Sequence, residues 1–362
     1  MIEGSELREL ATFVSKGTPA LSLYLDTDLT QQPKEKCLLV LRDLLQQVAA
    51  SVSDADRLRV ERFFTLEHDW QARGIALFSA TEEDLWRVYP LPLPVDNAAH
   101  TGDGLYLAPL TEFMVEHERY ATVLVDRESA RFFLIQPGQI EERNEWVGQD
   151  LKRHKQGGFA AARFQRHEDN LAEQNLKLAA EVTARFCRET RCAGLILSGS
   201  EETIASFRER LPKELQKRVL GTLSLEMAAP VTQIMERSAE LVQCKEHERK
   251  DVLVDRLVTA AAKGGDAVIG LADTFYMVHQ GRAHTLVLEK GFDAVGYACG
   301  DCNYVSAEPI EKCPFCGGSP RKIRGAVNWV VRRVLEGGGK VETVGDSQAL
   351  KKAGHIGAIL RY

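Results

Sequence analysis

Features that mark several other classes of protein are scarce in these 362 residues. Aromatic residues make up only 7% of the chain. No apolar run approaches the roughly 20 residues that a membrane-spanning helix requires. The first residues, Met1 to Glu6, have neither a basic start nor an apolar stretch, so a secretory signal is absent. We therefore expect a cytoplasmic protein without a membrane partner.

Basic residues are also fewer than acidic ones: the chain has 46 Lys and Arg residues and 52 Asp and Glu residues, which gives a net charge of -6. A net negative charge argues against a protein whose whole surface binds nucleic acid. A concentrated basic face can nevertheless bind phosphate groups in an acidic protein. The local distribution of charge therefore matters more than its sum.

The chain contains 8 cysteines, yet a disulfide framework is not expected in a protein of this length without a secretory signal. Half of them are scattered along the sequence. We interpret these as buried or half-buried thiols: Cys37, Cys187, Cys192 and Cys244.

The other four cysteines have the spacing Cys299-x2-Cys302-x10-Cys313-x2-Cys316. Each x2 spacing brings two thiolates to one tetrahedral position, so the two pairs predict a four-sulfur zinc site. We expect Gly300 and Gly317-Gly318 to supply the positive φ angles of the tight turns. Four thiolates leave no open coordination position, which favours a structural metal. A redox dithiol and an iron–sulfur site are the alternatives, and the thiolates alone do not exclude the second.

Strand-like and helix-like patterns alternate along the chain, which predicts an α/β protein of three domains with boundaries near 115 and 248. A long helix is expected from Arg163 to Glu189, with one apolar stripe formed by Leu171, Leu178, Val182 and Phe186. Two further helices are expected over 228–248 and 252–262. The predicted domains are therefore 1–115, 116–248 and 249–362, with the cysteine ribbon at 297–320.

Residues 152–167 hold five Lys or Arg residues, two His and no acidic residue. Phosphate contact suits such a segment, and Gly157-Gly158 would let the backbone approach a ligand closely. The alternative is a solvated basic turn before a helix. The basic residues are Lys152, Arg153, Lys155, Arg163 and Arg166.

The stretch from Lys155 to Arg166 resembles the middle-domain loop of archaeal and eukaryotic class 1 release factors, the family that includes Pelota. That loop carries Gly-Gly-Gln, a small residue, two more positions and then Arg-Phe-x-Arg before a long helix. Here the matching positions are filled by Gly157, Gly158, Arg163, Phe164 and Arg166. Residues 194–200 and 354–362 resemble two further strands of the family, and its archaeal members also carry a zinc ribbon in the third domain.

The resemblance implies three α/β domains in the release-factor arrangement. It implies an N-terminal domain of the decoding type and an RNase H-like middle domain. The C-terminal domain would be α/β/α with an inserted zinc ribbon. The implied partners are the ribosomal A site and peptidyl-transferase centre, ribosomal and transfer RNA, and a translational GTPase such as elongation factor Tu.

Two departures from the family bear on activity. Phe159 stands where the family has the glutamine that is thought to position water against the peptidyl-tRNA ester, and its side chain forms no conventional hydrogen bond. The stop-codon motif Asn-Ile-Lys-Ser is absent from the first segment. We therefore expect no catalytic residue in this degenerate loop and a non-catalytic A-site factor of the ribosome-hibernation or ribosome-protection type.

Two other functions stay open. The protein could be an enzyme that hydrolyses peptidyl-tRNA without reading a codon, in ribosome rescue or termination, with Gln156 or Gln165 in place of the missing glutamine. It could instead be an RNA-binding or nucleolytic protein, in which case clustered carboxylates would hold metal ions. Asp126, at the end of a predicted strand, is the one acid suitably placed for that reaction, although a strand-end aspartate is more often a turn residue.

Overall fold

The computed structural model describes residues 4–116, 119–136, 139–147 and 161–361. The chain divides into two compact units, each with its own cores. One unit combines Met1–Glu116 with Lys250–Tyr362, and the other is His117–Arg249. Both units mix helices and sheets, as predicted. The three predicted domain ranges stay a prediction.

The first part of the larger unit is an antiparallel sheet with helices against it. Its strands have the order β3-β2-β1-β4. Pro90 lies in the edge strand β3, where a residue without an N–H group is tolerated. The elements are α1 (Gly4–Thr12), β1 (Ala20–Asp26), α2 (Lys34–Gln47), α3 (Asp54–Arg62), β2 (Gly74–Ala80), β3 (Leu85–Leu91), β4 (Ala98–Gly102) and α4 (Ala108–Glu116).

The core of this sheet follows from alternation along β1. Leu21, Leu23 and Leu25 point to one face, where they pack with Leu41 and Leu45 of α2. A π-helical turn, Phe63–Glu67, follows α3 directly. The alternation along β1 and the apolar face of α2 therefore account for this layer.

The smaller unit is a mixed sheet with helices on both faces. Its strand order is β7-β6-β5-β8-β9, with β5, β6 and β7 antiparallel and β8 and β9 parallel to β5. This is the 3-2-1-4-5 order of the RNase H-like fold, as predicted. The elements are β5 (Tyr120–Val125), β6 (Ser129–Gln136), β7 (Gln139–Val147), α5 (Ala161–Thr190), β8 (Gly194–Ser198), α6 (Glu201–Arg210), α7 (Lys213–Lys217), β9 (Val219–Leu223) and α8 (Val231–Ala262).

The buried face of α5 differs from the predicted stripe. Phe186 is buried, but Leu178 is 47% exposed. The core side instead carries Leu176, Ala179 and Ala180. Alanine side chains let the helix approach the sheet closely, so the small residues face inward and one leucine faces out.

The two helices expected over 228–248 and 252–262 are one continuous helix, α8, of 32 residues. No glycine or proline interrupts the segment, and most of its charged residues are exposed. The helix ends where Gly264 takes a φ of 65° and Gly265 N–H donates to the Ala260 carbonyl at 2.9 Å. The boundary between the two units falls inside this helix.

The second part of the larger unit is an α/β/α layer with a small attached sheet, as predicted. The main sheet has the order β10-β16-β11-β15, and the small antiparallel one has the order β13-β12-β14. The elements are β10 (Ala267–Ile269), α9 (Leu271–His279), β11 (Ala283–Glu289), β12 (Gly296–Cys299), β13 (Val305–Ser306), β14 (Pro320–Ile323), α10 (Ala326–Glu336), β15 (Lys340–Val344), α11 (Gln348–Lys352) and β16 (Ile356–Leu360).

One hydrophobic core joins the two parts of the larger unit. Leu7 and Leu10 of α1 and Tyr24 of β1 belong to the same buried cluster as Val330 and Val334 of α10. The opposite face of the second sheet packs on the end of α8 and on α11. In the described part of the chain, no helix is long and apolar enough to cross a membrane.

Candidate functional site

The four clustered cysteines come together at one end of the small sheet, as the spacing predicted. Their Sγ atoms all lie within 4.8 Å of one another. Cys299 Sγ and Cys316 Sγ are 3.4 Å apart, as are Cys302 Sγ and Cys313 Sγ. A disulfide would need about 2.05 Å, whereas the edge of a zinc–sulfur tetrahedron is roughly 3.8 Å long. The cluster can therefore hold a metal ion.

Two turns of the same construction present the thiols. In the first, Asn303 N–H donates to the Cys299 carbonyl at 3.0 Å, and in the second, Gly317 N–H donates to the Cys313 carbonyl at 2.9 Å. The residue after each second cysteine has a positive φ, 60° at Asn303 and 77° at Gly317. The expectation for Gly317 is confirmed. Gly300 and Gly318 are not in the left-handed region. In the first turn Asn303 takes that conformation, which asparagine tolerates.

Backbone amides and burial act on the thiols in opposite directions. The N–H groups of Cys302 and Asp301 donate to Cys299 and lower its pKa to about 7. Burial raises the pKa of Cys302 to about 12. A bound cation would supply the positive charge that allows all the thiols to ionise together.

Aromatic side chains fix the ribbon to α9, a feature that the sequence pattern did not reveal. The Phe315 ring, between Cys313 and Cys316, lies 4.2 Å from the His279 ring and 4.8 Å from the Tyr304 ring. Tyr304 belongs to the same buried cluster as Cys299 and Cys313. Among the residues that the structure describes, the cysteines form the only group of three or more His, Cys, Asp or Glu residues suited to a metal ion.

The basic loop lies between β7 and α5, and most of it falls outside the described residues. This holds for Gly157, Gly158 and Phe159 of the degenerate motif, and for Lys152, Arg153 and Lys155. Arg163 and Arg166 lie in the first turns of α5, as the helix prediction required. The RNA-binding roles of these residues stay predictions.

Two contacts hold α5, the helix that follows the loop, to the β5–β6 turn. Asn175 of α5 donates from Nδ2 to the Arg127 carbonyl at 3.1 Å, and Arg127 forms an ion pair with Asp169 of α5. These contacts tie the helix that follows the loop to the turn between β5 and β6. In sequence the loop therefore lies between strand β7 and a long helix that contacts the same sheet.

Asp126 is a turn residue. Its Oδ1 atom accepts hydrogen bonds from the N–H groups of Glu128 at 2.8 Å and Ser129 at 2.6 Å. This arrangement closes the turn between β5 and β6. No metal-binding group of carboxylates is present in the described ranges. The geometry of Asp126 therefore gives no support to a nuclease site.

Comparison with known proteins places the loop in a family. Residues 106–243 match the model of bacterial archaeo-eukaryotic release factor family 10. That range contains the whole basic loop and nearly all of the smaller unit. This part of the chain is similar to the bacterial relatives of the archaeo-eukaryotic release factors.

Similarity to members of the family extends along nearly the whole chain. Peptide chain release factor subunit 1 of Methanocaldococcus jannaschii is 25% identical, over 98% of this chain and 96% of that protein. The same protein of Archaeoglobus fulgidus is 24% identical, over 99% of this chain and 96% of that protein. Among solved structures, the archaeal translation termination factor aRF1 matches at 18% identity over 100% of this chain and 99% of that chain, with a TM-score of 0.28.

Proposed function

We propose that this chain is a ribosome-associated translation factor of the release-factor and Pelota-like family that occupies the A site. The observation that carries the proposal is the position of the basic loop. Gly157-Gly158 and Arg163-Phe164-x-Arg166 lie inside the matched range 106–243, and the two arginines fall in the first turns of the long helix α5. The relatives that match nearly the whole chain are named as peptide chain release factors.

The loop contacts ribosomal or transfer RNA near the peptidyl-transferase centre. Lys152, Arg153 and Lys155 precede the glycines, while Arg163 and Arg166 follow on the first turns of α5. Guanidinium and ammonium groups neutralise backbone phosphates and release counterions, so this contact weakens as the salt concentration rises. Two adjacent glycines allow the backbone itself to approach the RNA.

We further propose that the factor binds without hydrolysing peptidyl-tRNA, as a hibernation or protection factor does. Phe159 offers no hydrogen-bond donor or acceptor to position a water molecule. Codon-independent peptidyl-tRNA hydrolysis is the second candidate, and the specific observation in its favour is Gln156, directly before Gly157. The two candidates differ in whether peptide is released from the ribosome.

The cysteine cluster holds a structural zinc ion in this proposal. Four thiolates, with no further ligand among the described residues, suit a closed tetrahedral site, whose role is to keep the ribbon folded. The C-terminal part of the chain then faces the base of the ribosomal stalk or a translational GTPase, for which elongation factor Tu is the bacterial candidate. Both assignments rest on resemblance to the family.

Co-sedimentation with ribosomes tests the proposal, because α5 offers a matched control. The double variant Arg163→Ala/Arg166→Ala removes two arginines at the start of the helix. Arg185→Ala/Arg188→Ala removes two exposed arginines with the same spacing near its end. We expect the first variant to leave the ribosome fraction at lower salt than the control, with two phosphate contacts fewer. Absence of the unmodified protein from ribosomes of both growing and stressed cells would refute the proposal.

A further inference from the structure

A cavity of about 220 Å³ lies beside the first cysteine turn, within the larger unit. Its wall is rich in guanidinium groups, since Arg321, Arg332 and Arg333 all line it. Asp103 and Glu336 are the acidic residues of the wall, and Asn303 and Trp329 contribute polar groups. No sequence pattern predicts this cavity, because its residues come from five separate segments of the chain.

The charges on the wall do not cancel. Arg321 forms an ion pair with Asp103, and Arg333 Nη1 lies 2.8 Å from Glu336 Oε2. Arg332 forms an ion pair with no acidic residue in the described part of the chain. Among the Arg, Asp and Glu side chains of the wall, one positive charge therefore remains in excess.

Arg332 is a buried cation, and only two of its three side-chain nitrogens donate hydrogen bonds to described residues. Its side chain is 6% exposed, and its Nε atom donates to the Ala11 carbonyl at 3.1 Å. Nη2 donates to the Phe13 carbonyl. These carbonyls lie at the C-terminal end of α1, where the helix dipole favours a cation. The third nitrogen, Nη1, donates to no acceptor among the described residues.

Gly104 makes room for this guanidinium. A Cβ atom at position 104 would lie 1.2 Å from Arg332 Nη1. Any larger residue there would displace the planar group from its place. The backbone at Gly104 thus packs directly against the guanidinium group of Arg332, whose Nη1 atom has no hydrogen-bond partner among the described residues.

We propose that this cavity binds a phosphate group. Guanidinium groups donate paired hydrogen bonds to phosphate oxygens, and here one buried and two exposed guanidinium groups line a single cavity. The phosphate is either inorganic phosphate or a phosphodiester of an RNA strand. Cys299 also lines the cavity. Negative thiolates there oppose an anion, so the affinity for inorganic phosphate is modest, with a Kd on the order of 1 mM.

Isothermal titration calorimetry tests the proposal. The metal-loaded full chain is titrated with inorganic phosphate, and chloride keeps the ionic strength constant. We expect one saturable site. Arg333→Gln weakens phosphate binding about tenfold, because a charged hydrogen bond to phosphate is lost. Glu336→Gln tightens phosphate binding, because a negative charge that repels phosphate is removed. Arg237→Gln and Glu240→Gln are matched controls, since they form an exposed pair with the same i,i+3 spacing on α8. Neither control changes the affinity.

Absence of saturable binding at millimolar phosphate would overturn the proposal, as would equal effects of Arg333→Gln and Arg237→Gln. Binding of a short single-stranded RNA then distinguishes the two sources of phosphate. If RNA is the ligand, Arg333→Gln weakens RNA binding and inorganic phosphate competes with it. If free phosphate is the ligand, Arg333→Gln changes phosphate binding alone. Both measurements are made without ribosomes, so their outcome is independent of A-site occupancy.

Discussion

Asn328 and Arg332, one turn apart on α10, both bind main-chain groups of the first 116 residues. Asn328 Nδ2 donates to the Leu105 carbonyl at 3.1 Å, and its Oδ1 accepts from the Leu107 N–H at 3.0 Å. Arg332 Nε donates to the Ala11 carbonyl at 3.1 Å. One face of a C-terminal helix thus fixes two N-terminal segments, so α10 is central to the stability of the larger unit.

Asn328→Asp should therefore destabilise the larger unit. The substitution removes the Nδ2 donor and places a carboxylate oxygen against the Leu105 carbonyl, which costs about 1–3 kcal/mol. Denaturant unfolding followed by tryptophan fluorescence measures the change, because Trp70, Trp86 and Trp329 lie in this unit. Asn170→Asp, on the exposed side of α5, is the control. Equal midpoints for the two variants would mean that the Asn328 contacts contribute nothing.

The purified protein should contain one zinc ion per chain. Cys313→Ser removes a buried ligand and should abolish stoichiometric metal, as elemental analysis measures, whereas Cys244→Ser changes an exposed thiol outside the cluster and should retain it. Removal of zinc with a chelator should unfold the ribbon, seen as increased proteolysis between 297 and 320. Iron in place of zinc, or full metal content in Cys313→Ser, would contradict the assignment.

Asp28 should make the first part of the larger unit sensitive to acid. Hydrogen bonds from Arg73 and Thr30 lower its pKa from 3.8 to about 2. Because the folded pKa lies below the unfolded one, the stabilisation is present above about pH 4 and is lost as the pH falls towards 2. Asp28→Asn should lower stability at neutral pH and flatten the loss of stability between about pH 4 and 2.

A second Asp–Arg pair provides the control for this acid sensitivity. Asp54 lies 3.0 Å from Arg57, but the Asp54 side chain is 88% exposed. An exposed ion pair contributes little to stability. Asp54→Asn should therefore keep the unmodified dependence on pH. A steep acid transition that persists in Asp28→Asn would assign the sensitivity to other carboxylates.

Local patterns predicted much of this fold, because the signals are local in origin. Alternation in β1 and the spacing of the four cysteines depend on a few neighbouring residues. Leu178 was wrongly predicted to be buried. The buried face of α5 depends on how closely its alanines approach the sheet, and the helical period of apolar residues does not reveal this. The break expected in α8 reflected a change of composition, whereas helices end at caps such as Gly264.

The parts of the site that depend on distant segments could not be predicted. Arg332 reads as an ordinary surface arginine of a helix, yet it is buried against carbonyls more than 300 positions away. Asn303 reads as a loop residue, yet it takes the positive φ that we expected of Gly300. Packing between distant segments decides both outcomes, and no local pattern in a single sequence reveals which distant segments will pack together.

Phe159→Gln tests whether the loop has lost only its catalytic group. If the loop keeps the register of the family, an amide at position 159 can again position water, and peptide release from ribosomes carrying labelled peptidyl-tRNA should appear. Phe159→Ala removes the ring without adding an amide and should stay inactive. The unmodified protein should release no peptide above background.

Release by the unmodified protein would instead favour the second candidate function. In that case Gln156→Ala and Gln165→Ala identify which neighbouring amide replaces the glutamine, since the variant that abolishes release marks the group. The ribosome-bound fraction must be measured alongside in every variant. Loss of release with binding retained locates the defect in the reaction, whereas loss of both locates it in the contact with RNA.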